Sequence, residues 1–148
     1  DGDDLIRFVD DLSATTFTSI AGDIGVDTVR FDYSAATESV SSNNNNAGAG
    51  GIAGVSYSGI ERLEITGGTA SDLLVGGLGD DTLRGGAGND RLEARAGANL
   101  IVGGAGGVGW ACWARPGAAS ASVSARVEAA SPVRRVSPWN VMRLISVR

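Results

Sequence analysis

Residues 67–75, 76–84 and 85–93 read GGTASDLLV, GGLGDDTLR and GGAGNDRLE. All three carry Gly-Gly at positions one and two, Asp at position six and Leu at position eight; the last two also keep Gly at position four. Glycine tolerates positive φ and close backbone approach, so positions one to six suit a tight turn. Positions seven to nine remain as a short strand with one inward side chain each: Leu74, Leu83 and Leu92. A flexible Gly/Asp linker has no reason to place an aliphatic at every ninth residue. The spacing therefore predicts an all-β fold of alternating turns and short strands, taken here with two nonapeptides to each coil.

Residues 18 apart then lie one above the other, about 4.8 Å apart as neighbouring strands do. Asp72 falls over Asp90, and Asp81 falls over Asn99. Two stacked carboxylates repel unless a cation lies between them. Calcium suits this setting, being hard and accepting both carboxylates and backbone carbonyls. The spacing thus predicts two metal sites, Asp72 with Asp90 and the weaker Asp81 with Asn99.

The pattern Gly-Gly-x-Gly-x-Asp-x-U-x (U a large aliphatic), carried by residues 76–93, resembles the calcium-binding repeat of the RTX, or hemolysin-type, family. The resemblance implies a parallel β-roll (a β-solenoid) in a secreted, extracellular protein that folds on meeting external calcium. It implies export by a type I secretion machinery acting on the parent protein. Ligands carried over are the position-six Asp and the carbonyls near positions two and four. Here these are Gly68, Ala70 and Asp72; Gly77, Gly79 and Asp81; and Gly86, Gly88 and Asp90. Asp80 and Asn89, at position five, point away from the metal in this scheme. Catalytic or lytic parts of such proteins lie outside the repeats, so the chain reads as a non-enzymatic module.

Degenerate copies extend the array. GDIGVDTVR (22–30) keeps Gly22, Gly25, Asp27 and Val29. ARAGANLIV (94–102) keeps Gly97 and Ile101, with Asn99 in place of Asp. GGAGGVGWA (103–111) keeps the glycines and has Val108 at position six. GDDLIR, Gly2 to Arg7, matches positions four to nine of a repeat whose start is missing, so the chain reads as a fragment of an array.

Charge divides the chain near residue 103. Residues 1–102 hold 16 acids and 6 arginines; residues 103–148 hold 1 acid and 6 arginines. An acidic body suits a cation binder, since repulsion opens the metal-free chain and binding relieves it. It argues against nucleic acid. Cys112 is the sole cysteine, so no internal disulfide staples the fold. No apolar run is long enough for a membrane span. The chain has no His, which removes zinc-protease motifs and His-based triads. GAGGVG (104–109) fits a dinucleotide-binding fingerprint, but Pro116 and Gly117 cut short the helix it needs, and the repeat already explains its glycines.

Three regions follow. Residues 1–66 are short strands and degenerate repeat leading into the roll. Leu5–Val9, Val26–Tyr33, Ile52–Tyr57 and Ile60–Ile65 read as strands, Val29, Phe31 and Tyr33 sharing one face and Leu63 and Ile65 another. Residues 10–20 read as loop or short helix. The SSNNNN run makes 38–51 a disordered, low-complexity loop. Residues 67–102 are the calcium-binding repeats. Residues 103–148 are an irregular basic tail, with a possible helix over 118–130. The tail reads as out-of-frame text from a GC-rich gene, or else as a basic segment for anionic membranes or an acidic partner. Two further alternatives stand beside the calcium module: a polysaccharide- or surface-binding module on the same roll, and a non-functional truncated remnant. Positions seven and nine, Leu73/Val75, Thr82/Arg84 and Arg91/Glu93, carry no aromatic stripe, which disfavours the polysaccharide reading.

Overall fold

The computed structural model describes residues 2–9, 18–44, 48–106, 108–112, 124–126 and 143–144. They are strands and turns, with no helix among them. In chain order the strands are β1 (Leu5–Val9), β2 (Thr18–Ala21), β3 (Thr28–Asp32), β4 (Ser42–Asn44), β5 (Gly50–Ile52), β6 (Val55–Ser58) and β7 (Arg62–Thr66). There follow β8 (Leu73–Val75), β9 (Thr82–Ala87), β10 (Asp90–Ala94), β11 (Leu100–Ala105), β12 (Val108–Cys112), β13 (Ser124–Arg126) and β14 (Arg143–Leu144). No described helix is long and apolar enough to cross a membrane.

Successive nonapeptide strands alternate between two parallel sheets. One runs β1-β3-β7-β9-β11-β13-β14; the other runs β8-β10-β12. In the repeats every partner lies 18 residues away, as Leu83 opposite Ile101 and Leu74 opposite Leu92 show. This arrangement is consistent with a β-roll. Toward the N-terminus the step widens: Thr28 pairs with Arg62 across β3 and β7, and Leu5 with Thr28 across β1 and β3. The residues added there build a third sheet, β2-β6-β5-β4, antiparallel among β4, β5 and β6.

The core follows from strand alternation. Phe8, Phe31, Ile65, Leu83 and Ile101 are in register across the long sheet. Leu74 and Leu92 are fully buried on the opposite sheet. Each repeat alone contributes a single aliphatic, which is a thin core. The N-terminal region thickens it with aromatic rings. Phe31 stacks on Tyr33 at 6.2 Å between centroids, and Phe8 and Tyr57 approach Phe31 at 5.9 Å each. Such pairs add about 0.5–1.5 kcal/mol beyond the area they bury.

Two expectations change here. The SSNNNN region does not form a disordered loop over 38–51, although residues 45–47 lie outside the described set. Val40 and Ser42 are buried, and Ser41 bridges to Leu73 in parallel. The Leu73 amide donates to the Val40 carbonyl at 2.9 Å, and the Val75 amide to Ser42 Oγ at 2.7 Å. Composition predicts disorder from the lack of apolar side chains, yet backbone groups opposite an open strand edge can be paired whatever the side chains. Strand pairing also runs across residue 103. β11 reaches Ala105, and β12 pairs with β10 through Asp90 opposite Val108. The ladder needs only backbone, so loss of the position-six acid does not end it. The expected loop or helix over 10–20 lies outside the described residues except for β2. The expected helix over 118–130 does so too, except for β13.

Candidate metal centre

Turns 67–72 and 85–90 stack along one edge of the two sheets; turns 22–27, 76–81 and 94–99 stack along the other. At each position six a carboxylate or carboxamide points inward. Asp72, Asp81, Asp90 and Asn99 are all buried, and Asp27 is completely so. The side chain reaches back one coil: Asp90 Oδ1 accepts the Asp72 amide at 3.0 Å, and Asn99 Oδ1 accepts the Asp81 amide at 2.9 Å. The same bond joins the Leu63 amide to Asp81 Oδ1 and the Val40 amide to Asp72 Oδ1. Asp72 thus lies over Asp90, and Asp81 over Asn99, as the 18-residue spacing requires.

Position five forms a second ladder running the other way. Asp80 Oδ1 accepts the Ala98 amide at 2.6 Å, and Ser71 Oγ accepts the Asn89 amide at 3.1 Å. Asp80 and Asn89 are exposed, on the outer rim. At the N-terminus Asp3 Oδ1 accepts the Val26 amide, and the Asp4 amide donates to Asp27 Oδ1. Asp3 and Asp4 therefore occupy positions five and six of a repeat. Glu61 is a member that the nine-residue pattern did not reveal: its Oε2 accepts the Asp27 amide at 2.9 Å, the place a position-six Asp would take.

The second carboxylate oxygen separates the turns. Asp72 Oδ2 accepts the Gly68 amide at 2.9 Å, and Asp81 Oδ2 accepts the Gly77 amide at 2.6 Å. Asp90 Oδ2 is buried and has no hydrogen-bond donor. Gly86, the counterpart of Gly68 and Gly77, lies within β9 opposite Gly104, and its amide makes no bond to Asp90 Oδ2. Gly85 keeps the space beside this oxygen open, since a β-carbon there would run into both Asp90 Oδ2 and the Gly103 carbonyl. Burial pushes the Asp90 carboxyl up to about 6, the Asp72 amide opposes the rise, and the neighbouring Asp72 charge adds to it. Asp81 is likewise pushed up to about 6 by burial; the Leu63 and Gly77 amides oppose this, Asp80 adds to it, and Arg95 pulls it down.

The carbonyls expected as ligands stack as well. The Gly68 and Ala70 carbonyls abut Gly86 and Gly88, whose carbonyls abut Gly104 and Gly106. The Gly79 carbonyl abuts Gly97 on the other edge. Gly68 also accepts the Ala87 amide, and Gly77 enters through its amide rather than its carbonyl. Gly88 requires glycine twice over: its φ is +118°, and a β-carbon would collide with the Ala70 carbonyl. Among the described residues no three His, Cys, Asp or Glu side chains converge. A cation here must therefore draw on backbone oxygens, as calcium does. The Asp72–Asp90 edge fits that ion, offering an anionic oxygen with no donor, a second carboxylate nearby and a carbonyl beside an open glycine. Gly103, at position one, was not among the expected ligands, which were placed at positions two, four and six.

Parallel strands at an 18-residue step bring acidic turns to face one another along each edge. Residues 66–101 match the family model of the RTX calcium-binding nonapeptide repeat, in four copies. These are the three repeats of 67–93 and the degenerate one that begins at 94. No curated protein matches the chain.

Proposed function

We propose that this chain is a calcium-binding β-roll module of a secreted protein, completing its fold when it meets external calcium. The observation that carries the reading is Asp90 Oδ2, a buried anionic oxygen without a donor in a turn of the RTX repeat type. Burying such a charge unpaired is costly, and a bound cation removes the cost. Asp72 and Asp90, with the carbonyls of Gly68, Ala70, Gly86, Gly88 and Gly103, would hold the ion. Bound calcium supplies charge neutralisation between the coils and ties each turn to the next. The module carries no catalysis of its own in this reading, and export by a type I secretion machinery belongs to the parent protein.

Far-UV circular dichroism and thermal unfolding of the full chain during a calcium titration test this, with magnesium as control. The expected response lies near 10⁻⁴–10⁻³ M, roughly, as for extracellular calcium modules. A flat response to calcium, or an equal one to magnesium, would refute it. A second reading, surface or polysaccharide binding, has one observation in its favour: a polar groove of about 270 Å³ on the outer face of the long sheet, lined by Arg7, Arg30, Asp32, Glu64, Thr66 and Arg84. Within it Arg30 is already paired with Glu64 at 2.5 Å.

A further inference from the structure

The two edges of the roll are not equivalent, and Asn99 is the reason. Its Oδ1 accepts the Asp81 amide, which fixes the direction of the carboxamide. Its Nδ2 then points into its own turn and donates to three carbonyls, Arg95 at 3.3 Å, Ala96 at 3.0 Å and Gly97 at 3.3 Å. These are positions two, three and four, and two and four are carbonyl positions that calcium would use. A donor that reaches several carbonyls at once fills the role of the ion, and its own hydrogens are satisfied by doing so. Arg95 adds a formal charge. Its Nη1 donates to the Asn44 carbonyl at 2.7 Å, which anchors the guanidinium at this edge, near Asp81.

The departures from the repeat in 94–99 fit one change. At position one, Gly67, Gly76 and Gly85 each face the Oδ2 of their own turn's Asp, where a β-carbon would collide. Ala94 stands at that position in the fourth turn and is fully buried. With Asn99 Nδ2 committed to the carbonyls, the methyl is tolerated. Position two becomes Arg95, and position six becomes Asn99. Gly97, at position four, is kept, because its φ is +99° and a β-carbon would strike the Gly79 carbonyl.

We propose that Asn99, assisted by Arg95, is a built-in substitute for a cation, so that turn 94–99 closes without metal and calcium is confined to the Asp72–Asp90 edge. This deepens the calcium reading and rests on it for the opposite edge alone. Asn99, expected above to be a metal ligand, becomes the residue that excludes the metal. One edge of the roll is preformed, and only the other waits for calcium.

The test has two arms on the full chain. In the first, amide hydrogen exchange is followed with a chelator present. Protection of the Asp81 amide and of the amides of 95–99, at least tenfold above that of 85–90, is expected; equal or lower protection overturns the proposal. In the second, calcium stoichiometry is measured by calorimetry for the wild type and Asn99→Asp, with circular dichroism verifying that both are folded in calcium. One additional calcium per chain in Asn99→Asp is expected; an unchanged count in the folded variant overturns the proposal. Asn99→Ala guards against a hidden site: a count below that of the wild type also overturns it. The arms separate the two readings. A wild type that binds no calcium refutes the proposed function, whereas the first arm still decides the role of Asn99.

Discussion

Asp90→Asn exposes the cost of the orphaned oxygen most directly. Asp90 keeps one good hydrogen bond, from the Asp72 amide at 3.0 Å, and Asn preserves it through Oδ1. The other oxygen is buried without a donor, and the carboxyl is lifted from 3.8 to about 6, chiefly by burial. Holding it ionised at pH 7.5 therefore opposes folding by about 3 kcal/mol at most, at 1.36 kcal/mol per pH unit. The carboxamide removes that charge and gains a donor able to reach carbonyls of its own turn, as Asn99 does. In chelator the variant should be the more stable protein, by about 1–3 kcal/mol. For a chain of this size that corresponds to roughly 2–12 °C in Tm. Calcium should shrink this advantage and, where it is below about 2.7 kcal/mol, reverse it. At a hundredfold excess over Kd, binding stabilises the wild type by about 2.7 kcal/mol, and the variant, missing an anionic ligand, gains far less. Differential scanning calorimetry of both proteins, with chelator and with calcium at a hundredfold excess over Kd, measures all four values. If Asp90→Asn is less stable than the wild type in chelator, the carboxylate is not under strain and the argument from its orphaned oxygen fails.

The remaining expectations follow from the same geometry. Because Asp81 and Asp90 have raised folded-state pKa values, the metal-free fold binds more protons than the unfolded chain between pH 4 and 6. Its stability should therefore fall as pH rises through that window, while the calcium increment grows; Tm at pH 5 and 7.5, with and without calcium, reads both trends. Gly88→Ala forces a side chain into φ +118° and against the Ala70 carbonyl, so it should cost well over 1 kcal/mol even with calcium, visible as a lower midpoint in urea. Leu83→Ala opens a cavity between Ile65 and Ile101 and should cost about 2–5 kcal/mol by the same assay, with calcium stoichiometry unchanged in the fraction that remains folded. Glu61→Gln retains an oxygen for the Asp27 amide and should shift the urea midpoint little, whereas Glu61→Ala removes the acceptor and should cost about 1–2 kcal/mol.

Much of the site could be read from the chain because a period is a geometric statement. An 18-residue step puts Asp72 over Asp90, Asp81 over Asn99 and Leu83 under Ile101 without any knowledge of the rest. The same regularity let GDDLIR be placed as positions four to nine, and Asp3 and Asp4 occupy positions five and six. Glu61 was hidden because it acts across the 34-residue step between β3 and β7, where the period is broken by the inserted third sheet. Strand β4, in the described part of the SSNNNN run, escaped for a related reason. The run's contact with β8 is made at that strand's edge, by a backbone bridge at Ser41 and by the Ser42 hydroxyl.

The sequence by itself determined the all-β character, the turn-strand alternation, which aliphatics face inward and which acids meet, since all of these depend on local spacing and alternation. Tertiary structure decided which of those meetings leave a buried oxygen without a donor. Asp72, Asp81 and Asp90 are the same residue at the same repeat position, yet two have both oxygens hydrogen-bonded and one does not. Asn99 reads from sequence as a weakened ligand, and only the structure shows its Nδ2 donating to three carbonyls of its own turn. Spacing fixes which groups come near one another. Whether a buried oxygen finds a donor depends on how neighbouring coils turn their amides, and that is settled only when the coils pack.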